Sequence, residues 1–370
     1  MHSILFEPIR VGNENLSNRV VMAPMTRSRS SQPGDVPNDI MATYYGQRAE
    51  AGLIVTEGAP ISPVARGYSL TPGIYSQAHI DGWKKTTEAV HKNGGKIFIQ
   101  LWHVGRRSHE IIAGEQPVSS SSVKIPDKVY GPDDSNEHGF GMIETSTPRA
   151  MTIEDIDSTI TDFVQAAKNA IEAGFDGVEL HGAHGYLIEQ FLRKSSNKRK
   201  DCYGGSEENR CRFLLEVTKA VVRAIGHDKV AIRLSPFIID NDNDAEHDLM
   251  DLSLKLLGQL APLKLAYLHF SENIGNSRIV TDSYRQQMRS AYSGKIMVAG
   301  KYTQSSAQEV VSKGYADLVA FGQPFITNPD LVNRMKYDHA LSPIDSDAQS
   351  TFYGGNEKGY TDYPTVSQQS

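Results

Sequence analysis

The chain is poor in cysteine: Cys202 and Cys211 are the only two among 370 residues, which excludes a disulfide framework and the four-thiolate set of an iron–sulfur cluster. A reducing cytoplasm is therefore the expected setting. Long apolar runs are missing as well, since no stretch reaches the ~18 uninterrupted apolar residues that span a bilayer. The N-terminal MHSILFEPIRVGNENLSNRV has no basic segment leading into an apolar run, so neither a signal peptide nor a membrane anchor is expected. Excess positive charge is absent too. The balance of 38 Lys+Arg against 44 Asp+Glu gives a net charge of -6, and the pI is near 6.1. Neither nucleic acid nor an anionic membrane is favoured electrostatically, and a small molecule is the expected partner.

Three motifs are also lacking. No G-x-G-x-x-G follows any apolar run, so a Rossmann dinucleotide site is unsupported. Ser235 has no G-x-S-x-G elbow around it, which argues against a serine hydrolase. There is no H-E-x-x-H; a metal hydrolase using His181, His184 and His103 stays open on the histidines alone, each of which reads equally as a satisfied polar group near a strand end.

What the chain does have is a repeating pattern. Eight short apolar, β-rich runs occur in order: RVVMAPM, LIVTEGAP, KIFIQLWHVG, DGVELHGAHG, KVAIRLSP, LAYLHFSE, KIMVAGKY and DLVAFGQP. Helical spacing separates them, clearest at Ile156, Ile160, Phe163, Val164, Ala167, Ala170 and Ile171, with Thr152 and Asp155 placed to cap that helix. Gly52, Gly94, Gly174, Gly226 and Gly314 each stand between a helical segment and the next strand, where left-handed glycines would stop the helices. Apolar strands alternating with helices predict an α/β fold with a parallel sheet covered on its outer face, and eight units close into a TIM (β/α)8 barrel. The whole of 1–370 reads as one domain. Residues 106–151 form an insertion after the third strand, long enough to cap the barrel, and 339–370 form a C-terminal extension at the rim. The acidic stretch Asp240, Asp242, Asp244, Glu246 and Asp248 lacks the glycine and terminal glutamate of a calcium loop and reads as a solvated turn.

In such barrels the reactive groups gather at the C-terminal strand ends. Those ends supply Thr26, Gly58, Gln100 with Trp102 and His103, then His181, His184 and Tyr186, then Arg233, Gly300 and Gly322. Imidazole donors, a phenol, an arginine and an amide suit proton delivery and charge stabilisation more than nucleophilic attack. Gly300 and Gly322 precede helical segments, with Ser305/Gln308 and Asn328/Pro329 as expected caps. Many barrels hold a phosphate at this place.

The segments RVVMAPMTR, GKIFIQLWHVGR, GFDGVELHGAHGYLIEQFL, YGGSEENR, IRLSP, YLHFSE, ADLVAFGQPFITNPDL and TFYGGNEKGYTDYP resemble the Old Yellow Enzyme family, classical branch, from about Ile4 to Pro364. The resemblance implies noncovalent FMN, reduced by NADPH or NADH, and reduction of the activated C=C bonds of enones, maleimides or nitroalkenes. Chains with two histidines, as in HGAHGY here, often handle nitrate esters or nitroaromatics. It places Thr26 at the flavin O4, Gln100 at N3 and O2, Arg233 beside N1 and O2, and Pro24, Met25 and Gly58 along the ring. Gly300, Lys301, Gly322 and Gln323 fall at the phosphate. His181 and His184 would bind the substrate oxygen, Tyr186 would protonate the α carbon, and Tyr68, Trp102 and Tyr353 would line the substrate pocket. No metal is implied, and the expected state is a monomer or homodimer. Two departures stand out: Gln323 occupies a position where the family usually has arginine, and Lys301 one where a small or neutral residue is common. A protein that holds the flavin without turnover is the remaining alternative.

Overall fold

The computed structural model describes residues 3–136, 139–239, 248–272 and 277–369. Eight strands, β1 (Val20–Met22), β2 (Leu53–Pro60), β3 (Ile97–Trp102), β4 (Gly177–Gly182), β5 (Val230–Leu234), β6 (Tyr267–Ser271), β7 (Ile296–Ala299) and β8 (Leu318–Phe321), close into a parallel barrel in chain order. Helices follow the strands in turn: α1 (Asp39–Gly46), α2 (Gln77–Lys92), α3 (Ile153–Glu172), α4 (Glu207–Ile225), α5 (Asp248–Leu260), α6 (Asp282–Ala291), α7 (Gln304–Ser312) and α8 (Leu331–Lys336).

Two-residue alternation divides each strand between two cores. Outward residues such as Ile54, Ile99, Leu180, Ile232 and Leu268 meet the helices, while Val21, Val55, Phe98, Tyr267, Met297 and Leu318 fill the barrel. The hairpin Ile9–Val11/Glu14–Leu16 joins the inner core through Ile9, Val11 and Leu16 and closes it. Toward the C-terminal strand ends the barrel side chains shrink to Ala23, Gly58, Ala299 and Ala320, and the space they leave becomes a cavity. In α3 the expected face is the buried one: Ile156, Phe163, Ala167 and Ala170 are covered, and Thr152 and Asp155 form a capping box. Each fully buried large apolar side chain there contributes about 1.5–3 kcal/mol.

Several local expectations need correction. Gly94, Gly174 and Gly314 have positive φ after their helices. Gly226 has φ 92 but ψ 146, outside the left-handed helical well. Gly52 is absent from the positive-φ set; a Cβ there would lie 2.1 Å from the Asn18 carbonyl oxygen, so close backbone approach is what demands glycine. Helix α7 is capped by Thr303 with Ser306, two residues earlier than Ser305/Gln308. Asn328 ends a five-residue helix, Gln323–Thr327, whose N-cap is Gly322. The acidic run from Asp240 to Glu246 lies outside the described residues. Residues 106–151 contain a short helix, Glu110–Ala113, and an antiparallel hairpin, Lys128–Pro132/Phe140–Glu144, tied to the barrel loops by the Ser69 N–H donating to the Tyr130 carbonyl at 2.8 Å.

Candidate active site

A cavity of about 670 Å3 opens at the C-terminal strand ends and is lined by Pro24, Met25, Thr26, Gly58, Gln100, Trp102, His181, His184, Tyr186, Arg233, Gly300, Lys301, Gly322 and Gln323, all expected from sequence. That volume suits a cofactor together with a small substrate. Tyr302, Pro324 and Ile344 also line it and were not anticipated. Tyr302 follows Lys301 directly and was legible as a strand-end residue; Ile344 lies in the C-terminal extension with no motif to mark it.

Strand β4 and the loop that follows it carry the imidazoles and the phenol, His181 on the strand and His184 and Tyr186 beyond its end. His184 and Gly185 both have positive φ, 58 and 72, a sharp turn that is costly for the histidine. The short helix Leu187–Leu192 holds that turn from inside. Buried Gln190 donates to the Gly185 carbonyl at 2.7 Å and the Val104 carbonyl at 3.0 Å. Glu189 accepts from the Gly185 N–H, and also from Ser235 Oγ at 2.7 Å and Arg193 at 3.1 Å. Ser235 is thereby a loop anchor, its oxygen accepting the His184 N–H at 2.8 Å.

Trp102 stacks between Tyr68, 5.4 Å away, and His181, 6.0 Å away, while Tyr186 meets it edge-on at 4.9 Å. Gly58 is required behind it, because a Cβ would come within 2.5 Å of the indole. The Tyr186 hydroxyl donates to Tyr68 Oη at 3.3 Å, and burial raises the Tyr186 pKa well above its usual value, so the phenol keeps its proton. Tyr68 belongs to this aromatic cluster without lining the cavity itself, and Tyr353 is 58% exposed and outside the lining. Both imidazoles have pKa values well below normal, through burial first and the Arg233 charge second. His181 Nδ1 accepts the Ala183 N–H at 3.3 Å, which puts the ring proton of the neutral form on Nε2. His103, by contrast, turns Nδ1 to its own loop, accepting the Gly105 N–H at 3.1 Å. Among the described residues no three His, Cys, Asp or Glu side chains come together as metal ligands.

Arg233 is 4% exposed, and among the described residues its guanidinium makes no hydrogen bond. A buried cation with free donors facing a cavity calls for an acceptor-rich guest. Burial lowers its pKa, opposed by Glu179. Burial alone would raise Glu179, but His269, Arg233 and Gln100 outweigh it and hold the carboxylate ionised. Glu179 accepts from Gln100 Nε2 at 2.8 Å and from His269 Nδ1 at 2.9 Å. With one amide N–H engaged, Gln100 keeps its carbonyl oxygen and second N–H for the cavity. Glu179 and His269 were missed from sequence, although each is a polar residue in an otherwise apolar strand and shares a face with His181 or Ser271 by two-residue spacing.

At the other end of the cavity, a Cβ on Gly300 would lie 1.6 Å from the Glu272 carbonyl oxygen, so protein packing dictates that glycine. Gly322 differs. Its φ of -94 suits any residue, and an added Cβ would meet nothing nearer than Met25 Sδ at 3.4 Å; the missing side chain leaves room for a guest. Lys301 (φ 54) and Gln323 are both exposed here, and neither side chain makes a hydrogen bond among the described residues. A planar ring bearing carbonyl and imide groups on Gln100 and Arg233, with an anionic tail toward Gly322 and Lys301, fits these features.

A model of the NADH:flavin oxidoreductase / NADH oxidase family matches residues 4–342. The chain is 44% identical to 12-oxophytodienoate reductase 1 of Oryza sativa subsp. japonica over 376 residues, covering 98% of this chain and 93% of that protein. Morphinone reductase in complex with tetrahydroNAD superimposes with a TM-score of 0.92 at 45% identity, over 99% of this chain and 98% of that one. An Old Yellow Enzyme homologue from Zymomonas mobilis gives a TM-score of 0.91 at 38% identity, over 97% of this chain and 99% of that one.

Proposed function

Since the chain belongs to the NADH:flavin oxidoreductase / NADH oxidase family, the family of Old Yellow Enzyme, we propose that it is an FMN-dependent ene-reductase. It takes hydride from NADPH or NADH and reduces activated C=C bonds of enones, maleimides and nitroalkenes, with nitrate esters and nitroaromatics as further acceptors. The reading is carried by the convergence of His181, His184 and Tyr186 on the cavity that also holds Arg233 and Gln100. The names of the relatives, 12-oxophytodienoate and morphinone reductase, denote ketone substrates and support a carbonyl acceptor; the tetrahydroNAD complex of one of them supports a nicotinamide reductant.

When bound here, FMN would supply the hydride. Gln100 and Arg233 would hold its pyrimidine edge, Thr26 its O4, and Pro24, Met25 and Gly58 its face, while Gly300, Lys301, Gly322 and Gln323 would hold the phosphate. The Arg233 charge favours the reduced ring by offsetting negative charge at its edge. His181 and His184, both neutral, donate N–H groups to the carbonyl or nitro oxygen and draw electrons from the alkene. Tyr186, protonated at neutral pH, delivers the proton to the α carbon. Trp102, Tyr68 and Tyr353 shape the approach of the substrate.

Protein reconstituted with FMN should turn yellow, bleach anaerobically with NADPH or NADH, and recolour on addition of 2-cyclohexenone. Absence of bound-flavin absorbance, or reduced enzyme that persists in the presence of the enone, overturns the proposal.

A further inference from the structure

Ser271 is the last residue of β6, is fully buried, and lies with its Oγ 2.9 Å from His184 Nε2. We infer that Ser271 is a positioning residue that fixes the tautomer of His184, so that Nδ1–H is the donor offered to the substrate oxygen. The inference rests on the ene-reductase reading for the identity of that substrate.

The geometry leaves His184 little freedom. Its backbone N–H is bound to Ser235 Oγ, whose own proton is committed to Glu189, and the next residue, Gly185, donates to the other oxygen of the same carboxylate. With the backbone pinned at φ 58, turning the ring over would break the bond to Ser271. Among the described residues His184 Nδ1 has no hydrogen-bond partner and is not enclosed, and the residue lines the cavity, so Nδ1 is the nitrogen that a guest meets.

A neutral imidazole carries one N–H. Placed on Nε2, it would be used up on Ser271, and a lone pair would face the substrate oxygen and repel it. When the Ser271 hydroxyl donates to Nε2 instead, the proton resides on Nδ1 and both imidazoles present donors. His181 reaches the same end by the opposite tautomer, because the Ala183 N–H fills its Nδ1 and leaves the proton on Nε2. Two rings three residues apart at the end of β4 are thus set to different tautomers by different neighbours, one from its own turn and one from the strand two places along the barrel.

The test is nitrogen-15 NMR of the FMN-loaded protein with labelled histidine imidazoles, His184 being assigned from its loss in His184→Gln. Binding of 2-cyclohexenone to the oxidised enzyme is followed in parallel through the flavin spectrum. The wild type should show His184 as the Nδ1–H tautomer. Ser271→Ala should give a mixture of tautomers and bind the enone about fivefold more weakly, the loss expected for one neutral hydrogen bond. Ser271→Thr, which retains the hydroxyl, should restore both. An Nε2–H His184 in the wild type, or Ser271→Ala with unchanged tautomer and affinity, overturns the inference. The wild-type spectrum decides it even if a variant fails to fold. A flavin that nicotinamides cannot bleach would sink the ene-reductase reading while leaving the tautomer result intact.

Discussion

Glu57 precedes Gly58 on β2 and is fully buried, accepting from the Arg27 backbone N–H at 3.3 Å and the Tyr45 hydroxyl at 3.2 Å. Two guanidinium groups are close, but both are engaged elsewhere. Arg27 donates to the carbonyls of Phe352 and Gly359 at 2.9 and 3.0 Å, and Arg29 to those of Thr351 and Asn356 at 2.8 and 3.1 Å, so that together they clasp the C-terminal extension. Burial therefore wins, and the carboxyl is pushed up from 4.5 to about 7, with the arginines offsetting only part of the cost. The difference between 4.5 and about 7, at ~1.36 kcal/mol per unit, is a charging cost of about 3 kcal/mol in the folded state. Its sign follows from proton binding. The folded protein holds the proton more tightly than the unfolded chain, so stability falls as pH rises from about 4.5 to about 7 and is level above that.

Glu57→Gln keeps the shape and an acceptor but cannot ionise. Relative to wild type it should gain up to about 3 kcal/mol between pH 5 and pH 8. At ~2.1 cal/mol/K per residue, the 370-residue chain has an unfolding entropy of about 0.8 kcal/mol/K, so the gain amounts to about 4 °C in Tm. Thermal unfolding of both proteins across that pH range is the assay. A difference between them that does not change with pH refutes the reasoning.

Tyr186→Phe should slow enone reduction by about 100-fold or more while leaving flavin reduction by NAD(P)H unchanged, as stopped-flow measurement of the two half-reactions will show; equal slowing contradicts the proton-donor role. His181 and His184 are depressed well below 6.5, so the unfolded chain takes up protons that the folded protein refuses, and stability is lost as pH falls from about 6.5 toward their lower folded pKa values and is level below them. Enone reduction should accordingly be flat from about pH 6 to pH 8, and an inflection near the ordinary histidine value would contradict neutral, buried rings. At the phosphate end, Lys301→Ala should weaken FMN binding about tenfold, and Gln323→Arg should recover it by supplying a bidentate cation; fluorescence titration that finds FMN affinity unmoved by Lys301→Ala removes the charge-replacement idea.

The barrel was legible because its signals are local and repeated. Eight apolar runs separated by helical spacing leave few other topologies, and strand-end polar residues reach one mouth whenever the strands are parallel. Glycines were read less well, because the same residue answers different demands: Gly94 adopts positive φ, Gly52 permits backbone contact, and Gly322 makes space in the cavity. Sequence shows the glycine and hides the reason. Helix caps slipped by a residue or two where several polar candidates adjoin, as in Thr303–Ser306. The Glu179–His269 pair was hidden because it joins strands 90 residues apart, and the two-residue spacing within each strand does not say which other strand supplies the partner. Tyr353 stands apart for the opposite reason: a motif fixes its place in the chain, while its side chain is 58% exposed and lies outside the cavity lining.

Charge in the cavity is distributed unequally, and this has a chemical consequence. Arg233 pairs in register with His181 on one side and His269 on the other, so three basic side chains face one small volume. All three could not be protonated together without strong repulsion in so buried a place. The permanent cation is therefore Arg233, balanced by Glu179, and the imidazoles are neutral donors. Neutral donors bind a ketone or nitro oxygen only weakly while it is uncharged. In the proposed reaction they would gain strength as hydride addition drives negative charge onto that oxygen, so that more of their binding energy is expressed in the transition state than in the ground state. Two protonated imidazoles would instead favour any anion that entered the cavity, substrate or not. On the proposed ene-reductase reading, holding His181 and His184 neutral beside Arg233 would favour turnover over tight binding, and neutral electrophiles over carboxylates.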